Sequence, residues 1–521
     1  METRMQTDVI IVGAGPTGLS LACQLTRHGI DFVAIEKNPG VTPFSKAVGV
    51  HARTLEIYEQ MDLAQPAVSQ GTIAGKVRLL EGGEVRGEVD LSNVGEGLSA
   101  YPYMLVLEQS KNERLLYDFL RDNGRDVLWQ TELVSFTQSG EGVSAQVKKA
   151  DGTTLTIDGK YLVGCDGPRS LVRHTLGLSF EGSTFERIFY IADVEMEWKY
   201  SHDALNVCLT QNSVVAFFPL RGENRYRIVG AFPEGMERDE SEIVYEEIER
   251  RIKEETEIPL DITKVQWFST YKVHSRRVQR FSEGRCFLAG DSAHIHTPAG
   301  GQGMNTGIQD AYNLAWKLAT VLKGHANARI LDTYNPERVE NAKRLLETTD
   351  RMFNLAAGTD WLLNIIRTTI FPPLAKYILG LEAVKKRFFP LISQIGISYP
   401  DSALSQHGDD EEFDVKAGAR MPYFLVDGRS IFDALRSPKF HLLTFSDGEE
   451  DYGRLQNAVE IKFGSMMDYH VVPLYPHVTE IFGCSKPFNV LLRPDNHIGL
   501  ISTDTSMDAI RGYVQDVLGR V

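Results

Sequence analysis

Apolar residues cluster in short runs at three places along this chain, and each run ends on glycine or a Gly/Asp pair. "DVIIVGAGPTGLSLACQLTRHGIDFVAIE" (8–36) reads as strand, glycine turn, amphipathic helix and second strand, a βαβ unit. "KYLVGCDG" (160–167) and "GRCFLAGD" (284–291) repeat the compact apolar strand, each followed by a helix-like stretch. One α/β unit is therefore expected to be discontinuous, built from 1–180 and 276–395. Between its halves, residues 181–275 alternate at period two ("NVCLTQNSVVAFFPL", "RYRIVGAF"), which predicts a mostly antiparallel sheet joined by 72–103 and carrying one charged helix, "DESEIVYEEIERRIKEE". Helical patterns run from 305 to about 390, "SQHGDDEEFDVKAGARMP" reads as a polar linker, and 410–521 returns to an α/β pattern.

The composition narrows the partners. A chain of 521 residues with 42% hydrophobic content fills two or three cores. Its 55 Lys+Arg against 70 Asp+Glu give a formal charge of −15, which repels nucleic acid and anionic membrane and leaves a small molecule as the expected partner. Five scattered cysteines without a Cys-x-x-Cys pair signal neither a disulfide framework nor a thiolate metal site. With no signal-peptide pattern at the N-terminus, a reducing cytoplasm is expected. The apolar stretch 361–381 contains Arg367, Lys376 and Pro372-Pro373, so packed amphipathic helices are expected there rather than a membrane span.

Gly13-Ala14-Gly15-Pro16-Thr17-Gly18 follows a strand and opens a helix, and Glu36 ends the next strand. This is the dinucleotide fingerprint in its proper context. Gly13 is read as the tight turn, Gly15 as the point where backbone approaches a pyrophosphate, Gly18 as the close helix–strand contact, and Glu36 as the ribose acceptor. The motif does not separate FAD from NAD. In "GRCFLAGDSAHIHTPAGGQGMNTGIQDAYNLAWKLA" a second apolar strand ends at Gly290-Asp291, and a glycine-rich turn enters a helix along whose start a cofactor ring can lie.

These three stretches, in this order, resemble the single-component FAD-dependent aromatic hydroxylases, the group of para-hydroxybenzoate hydroxylase, phenol hydroxylase and the hydroxylases that tailor polyketides and rifamycins. "YLVGCDGPRSLVR" and the 287–319 stretch carry the resemblance most specifically. It implies a Rossmann-like FAD-binding domain, an inserted substrate sheet and, more weakly through "AGARMPYFLVDGRSIFDAL" and "LLRPDNHIGL", a thioredoxin-like C-terminal domain. Carried over by position, it puts Gly13, Gly15, Gly18 and Glu36 on the ADP half of FAD, with Pro16, Thr17, Lys37 and Val134 also among the cofactor-binding residues. Gly290 and Asp291 fall at the ribityl and pyrophosphate region, with Lys46, Arg53 and Gln109 helping to hold the cofactor. Gly301, Gly303, Met304 and Asn305 would meet the flavin ring with backbone or amide groups, and Pro298 would pack beside it where oxygen reacts. Asp166 is associated with FAD and Arg169 with NAD(P)H. Where relatives commonly carry Arg-Ala, this chain has Lys46-Ala47, which keeps the charge but loses the planar fork.

The resemblance implies a cycle in which NADPH or NADH reduces FAD, O2 forms a flavin C4a-hydroperoxide, and an electron-rich aromatic carbon takes the distal oxygen. Epoxidation, Baeyer–Villiger oxygenation, or capture of a reactive intermediate without hydroxylation are the competing readings on the same frame. Phe217 and Pro219, in an aromatic strand, are the substrate-lining candidates. His294 and His296 lie two apart before a glycine turn, a spacing unlike the i, i+4 zinc signature, so no metal is expected. His294 is read as structural or behind the phosphates, His296 as approaching the flavin or packing. A single Cys484 in the last domain rules out dithiol chemistry there, and a structural or subunit-contact role, with a homodimer as the expected assembly, is the reading for it.

Overall fold

The computed structural model describes residues 3–210, 214–233, 242–357, 382–409 and 411–519; the apolar stretch 361–381 lies outside them. β1 (Thr3–Val12) runs through a glycine turn into α1 (Pro16–Arg27) and returns as β2 (Phe32–Ile35), parallel to β1. Val9, Ile10 and Ile11 are wholly buried, as a strand covered on both faces by helices requires. α2 (Gln109–Asp122) packs on α1. A hairpin of β3 (Thr131–Gln138) and β4 (Val143–Lys149) feeds β5 (Thr154–Gly164), which pairs parallel with β1.

The alternating region forms the second sheet: β6 (Glu181–Trp198), β7 (Ala204–Leu209), β8 (Val214–Pro219), β9 (Arg225–Ala231) and, after α3 (Tyr245–Thr256), β10 (Leu260–Arg277). They lie side by side in the order β10-β6-β9-β8-β7, all antiparallel, and strand Lys76–Glu81 adds to β7 in parallel. One face is closed by α3, whose Ile248 and Ile252 pack with Tyr190, Phe217 and Ile228. The period-two alternation puts their neighbours on the other face.

β11 (Cys286–Leu288) joins β5 in parallel, and β12 (His294–Ile295) pairs with Arg276 and Arg277 of β10, so one short segment is stitched into both sheets. Two helices follow, α4 (Gly303–Leu322) and α5 (Tyr334–Ala357). The register aligns Val12 with Gly164 and Gly164 with Leu288. Three strand ends therefore stop at one level, and the turns after them lie side by side at the carboxyl edge of the sheet, where open α/β sheets bind ligands.

The chain closes with β13 (Phe440–Ser446), α6 (Gly453–Phe463), β14 (Met467–Pro473), α7 (Pro476–Phe482), β15 (Phe488–Leu492), β16 (Ile498–Ser502) and α8 (Met507–Asp516). β13 pairs parallel with β14 and antiparallel with β15, which pairs antiparallel with β16. Phe445, Phe482 and Phe488 form a core of its own, while Phe440 on the first strand meets Trp316 of α4 edge-on. The protein is thus a mixed α/β fold. No helix among the described residues is long and apolar enough to cross a membrane.

Candidate active site

The first turn is shaped by contacts that only glycine permits. Gly13 has φ +99°, and a Cβ on Gly18 would overlap the Gly13 carbonyl oxygen, so the helix can start this close to the strand only without side chains. A Cβ on Gly15 would meet nothing within 4 Å, which leaves open space in front of the α1 N-terminus and its unpaired N–H groups. The Glu36 carboxylate is held at the edge of this space by the Ala14 N–H at 2.9 Å and the Asn38 N–H at 2.9 Å. Pro16 occupies the first turn of α1, and Thr17 is wedged where side chains on Gly290 or Gly307 would have to stand. Lys37 and the Val134 side chain are exposed near this end.

The Gly290-Asp291 turn is fixed from behind by Asp310. Its Oδ2 accepts from the Gly290 N–H at 2.9 Å and bonds His294 Nε2 at 2.7 Å, and its Oδ1 accepts from Arg338 Nε at 2.6 Å. Burial opposes the Asp310 charge, but Arg338 and His294 outweigh it and hold its carboxyl below the ordinary range. Asp291 itself is open to solvent while surrounding protein pushes its carboxyl upward, against the pull of His294 and Lys46. Its side chain therefore stands exposed at the carboxyl edge of the sheet, beside the turn after β1. Asp166, half-buried in the adjacent turn, accepts from the Val172 N–H, and Arg169 beside it is exposed.

The glycine segment forms the third side. Gly300 and Gly301 have φ +76° and +63°, a double left-handed bend that glycine permits, and the Gly301 N–H closes it on the Pro298 carbonyl at 3.0 Å. Pro298 is exposed at its start, and the first N–H groups of α4, at Gly303 to Asn305, have no intrahelical acceptor. Asn305 corrects the sequence expectation. Its amide is wholly used inside the protein, accepting from His51 N and Thr54 Oγ1 and donating to the carbonyls of Gly49 and Gly301, so only its backbone N–H is left to serve a ligand. Met304 points its side chain toward the core, where Asn112 Nδ2 lies 3.5 Å from Sδ.

Arg53 is a second correction. It is buried, with Nη1 on Glu56 and Nη2 on the Asp495 carbonyl, so its guanidinium ties the first unit to the last instead of holding a cofactor. Gln109 uses both ends of its amide: Oε1 accepts from the Lys46 and Ala47 N–H groups, and Nε2 donates to Glu113. It shapes the loop that brings Lys46 within electrostatic reach of Asp291.

Phe217 and Pro219 are the third correction. Both are buried on the α3-covered side of the sheet, Phe217 against Trp198 and Pro219 paired with Tyr226. The face toward the cleft carries Phe218, which packs with Val48 and Met104 of the first unit. Register places Arg227 beside Phe218, Asp193 beside Arg227 and Trp267 beside Asp193. Asp193 grips Arg227 through two 2.7 Å bonds, Nε to Oδ1 and Nη2 to Oδ2, and the buried Nη1 has no hydrogen-bond partner among the described residues. Phe189 and Tyr271 pack together further along this face. Substituting Phe217→Leu is expected to cost about 1 kcal/mol of stability with KM unchanged, whereas Phe218→Leu, which keeps an apolar group against Val48 and Met104, should cost no more in stability and raise KM severalfold; urea unfolding and steady-state kinetics on both variants decide it.

Sequence reasoning missed His51. It is buried under the glycine segment, with Nε2 3.2 Å from the Gly301 carbonyl. Burial, despite backbone hydrogen bonds, lowers its pKa from 6.5 to about 4, and burial likewise lowers that of His296 to about 4. Unfolded histidine titrates near 6.5, so these neutral rings support the fold fully above that pH, and their contribution is lost as pH falls toward 4. Melting temperature is therefore expected to fall across that window, less steeply in His51→Gln; melts at about pH 7.5, 5.5 and 4.5 test it.

The site defines a class: an α/β enzyme with a dinucleotide cradle at the carboxyl ends of parallel strands, faced by a sheet with an aromatic surface. Residues 6–349 match the FAD binding domain family. The 6-methylpretetramide 4-monooxygenase of Streptomyces rimosus is 33% identical over 91% of this chain and 84% of its own. The pentachlorophenol 4-monooxygenase of Sphingobium chlorophenolicum is 30% identical over 96% of each. Aklavinone-11 hydroxylase, solved with FAD and aklavinone, superposes with a TM-score of 0.81 at 25% identity over 99% of both chains. The chain belongs to the FAD binding domain family, and it is an FAD-dependent aromatic monooxygenase that uses O2 and a reduced nicotinamide donor.

Proposed function

We propose that this enzyme hydroxylates a flat, multi-ring phenolic molecule of the polyketide type, bound between the open face of the second sheet and the glycine segment. The observation that carries this is the extent of that face. From Phe218 on β8 to Tyr271 on β10 it crosses three strand spacings, about 14 Å, wider than one ring needs, and beside the rings of Phe218, Trp267, Phe189 and Tyr271 it carries a hydrogen-bond donor, Arg227 Nη1, that has no partner among the described residues. That donor, held flat by Asp193, suits a phenolate or enolate oxygen. A single-ring phenol would span only part of it.

In this reading the ADP end of FAD rests on Gly13 to Gly18 and Glu36, Gly290-Asp291 takes the ribityl and pyrophosphate region, and the backbone from Gly301 to Asn305 meets the ring. Bound FAD, reduced by NADPH or NADH, supplies the activated oxygen. The protein orients the acceptor carbon, excludes water and places backbone N–H groups where negative charge develops. His296 Nε2, beside Gly303 and without a hydrogen-bond partner among the described residues, is placed to touch the flavin edge. Arg169, exposed beside the cleft, is our candidate for the nicotinamide donor. We read 1–180 with 276–395 as a Rossmann-like unit and 181–275 with 72–103 as the substrate sheet. We read 410–521 as thioredoxin-like, supported by the parallel β13-β14 and antiparallel β15-β16 order. Five unpaired cysteines favour a reducing cytoplasm, and a homodimer remains our expected assembly.

The test is turnover under 18O2 with three- and four-ring phenols. One labelled atom in the product, with one nicotinamide oxidised per hydroxylation, supports the reading. Nicotinamide oxidation that yields only H2O2 with every such compound, while simple phenols are hydroxylated, would sink the multi-ring assignment.

A further inference from the structure

Phe44 is a large apolar ring left 51% exposed in a loop whose backbone is pinned on both sides of it. The Thr42 N–H donates to Glu113 Oε2 at 2.8 Å, and Ser45 Oγ lies 3.0 Å from Ser110 Oγ, both partners on α2. The Thr42 hydroxyl closes on the Phe44 backbone, 3.0 Å from its carbonyl oxygen. With the loop held in this way, the Phe44 side chain is the part free to turn.

Its ring stacks on Trp267, with centroids 5.9 Å apart and planes at 21°. Trp267 belongs to the opposite wall of the cleft. It is half-buried on β10, in register with Asp193, and the Arg227 guanidinium stands 5.8 Å from its ring. The stack therefore bridges the loop that carries Lys46 and the sheet face that carries Arg227. A single ring pair, half in water, favours its closed arrangement by no more than about tenfold. A larger aromatic surface that also satisfies Arg227 would displace Phe44.

We propose that Trp267 is a ring-binding subsite at the mouth of the cleft, held by Phe44 as an internal stand-in and taken over by an outer ring of a flat aromatic substrate. This rests on the multi-ring reading above and adds to it a selection device. A one-ring compound seated deeper cannot reach Trp267 and does not release Phe44. A ligand of three or more fused rings can, and exchanges one stack for another at little net cost.

The experiment is equilibrium binding to the FAD-loaded protein, without nicotinamide, using 1,8-dihydroxyanthraquinone as the three-ring probe and phenol as the control. Phe44→Ala removes the competitor and is expected to tighten the three-ring probe about threefold to tenfold. Trp267→Ala should weaken it by about tenfold, and Trp267→Phe, which keeps a ring, should restore most of the affinity. Phenol binding should stay within about twofold throughout. Iodide quenching gives a second readout: tryptophan emission that disappears in Trp267→Phe should become more accessible in Phe44→Ala and be shielded again by the probe. Equal probe affinity in wild type, Phe44→Ala and Trp267→Ala overturns the proposal, as does a parallel change with phenol or no binding of the probe to any of them. Because no turnover is involved, a protein that binds the probe at Trp267 but hydroxylates no multi-ring phenol would leave the subsite standing and sink the multi-ring substrate reading alone.

Discussion

Replacing Glu337 by Gln is expected to destabilise the folded protein by about 3–5 kcal/mol, among the largest effects available from one polar substitution. Glu337 is buried on α5. Its Oε1 accepts from Arg493 Nη1 at 2.7 Å and Ser402 at 2.6 Å, and its Oε2 accepts from Lys317 at 2.8 Å and Asn313 at 2.7 Å. Arg493 also bonds Asp495, so two cations and two anions balance within a wholly buried cluster. Removing one carboxylate charge leaves a net buried positive charge and turns an amide N–H₂ toward donors. Lys317 can relieve this. Burial, partly offset by Glu337, already lowers its pKa to about 8, so in the variant it sheds its proton near neutrality. The loss should therefore be smaller at about pH 9 than at pH 7, and Glu337→Gln with Lys317→Met should recover at least about 2 kcal/mol in a double-mutant cycle. In wild type the sign at low pH is opposite. Despite burial, Arg493 and Lys317 hold Glu337 at about 2, so its contribution is complete above about 4.5 and disappears as pH falls toward 2. Urea unfolding of single and double variants at the two pH values is the measurement. A single variant within 1 kcal/mol of wild type at pH 7 would show that the cluster is not charge-balanced as drawn.

The cradle was legible in the sequence because its causes are local. A glycine that must adopt φ +99°, or must let a helix start against a strand, is marked wherever the rest of the chain goes, and apolar runs ending in Gly/Asp turns identify strand ends. Parallel pairing then brought the three ends together. What the sequence hid depends on partners far along the chain. Arg53 has the chemistry of a phosphate ligand, but its acceptor is a carbonyl 442 residues away. Asn305 carries an amide suited to a flavin edge, and only the fold shows that four neighbours consume it. Alternation separated Phe217 from Phe218, but which face meets the cleft was decided by α3, packed over Phe217. The histidines resolved in the same way: Asp310, sixteen residues on, makes His294 a buried strut, and His296 Nε2, by the glycine segment, has no hydrogen-bond partner among the described residues.

Asp291→Ala is expected to weaken FAD binding by about 10- to 150-fold while the protein still folds, the loss that follows from deleting one charge-assisted hydrogen bond of about 1.5–3 kcal/mol. Gly290 N and His294 are both held by Asp310, and Arg338 holds Asp310, so the backbone is fixed without help from the Asp291 side chain. That side chain makes no hydrogen bond to a described residue, and it is solvent-accessible in a cleft that raises its pKa. A carboxylate left raised and open in this position is stabilised when ligand hydroxyl groups donate to it, as ribityl hydroxyls would. Asp291→Asn keeps an acceptor and should lose less than the alanine variant. Asp310→Asn, by contrast, should lower both melting temperature and FAD affinity, because it loosens the turn itself. Titration of deflavinated protein with FAD, followed by quenching of flavin fluorescence, gives the affinities, and a melt without cofactor gives the fold. If Asp291→Ala binds FAD as wild type does, the ribityl end lies elsewhere along the cleft. If its melting temperature without cofactor falls as far as that of Asp310→Asn, the side chain is holding the turn rather than the ligand.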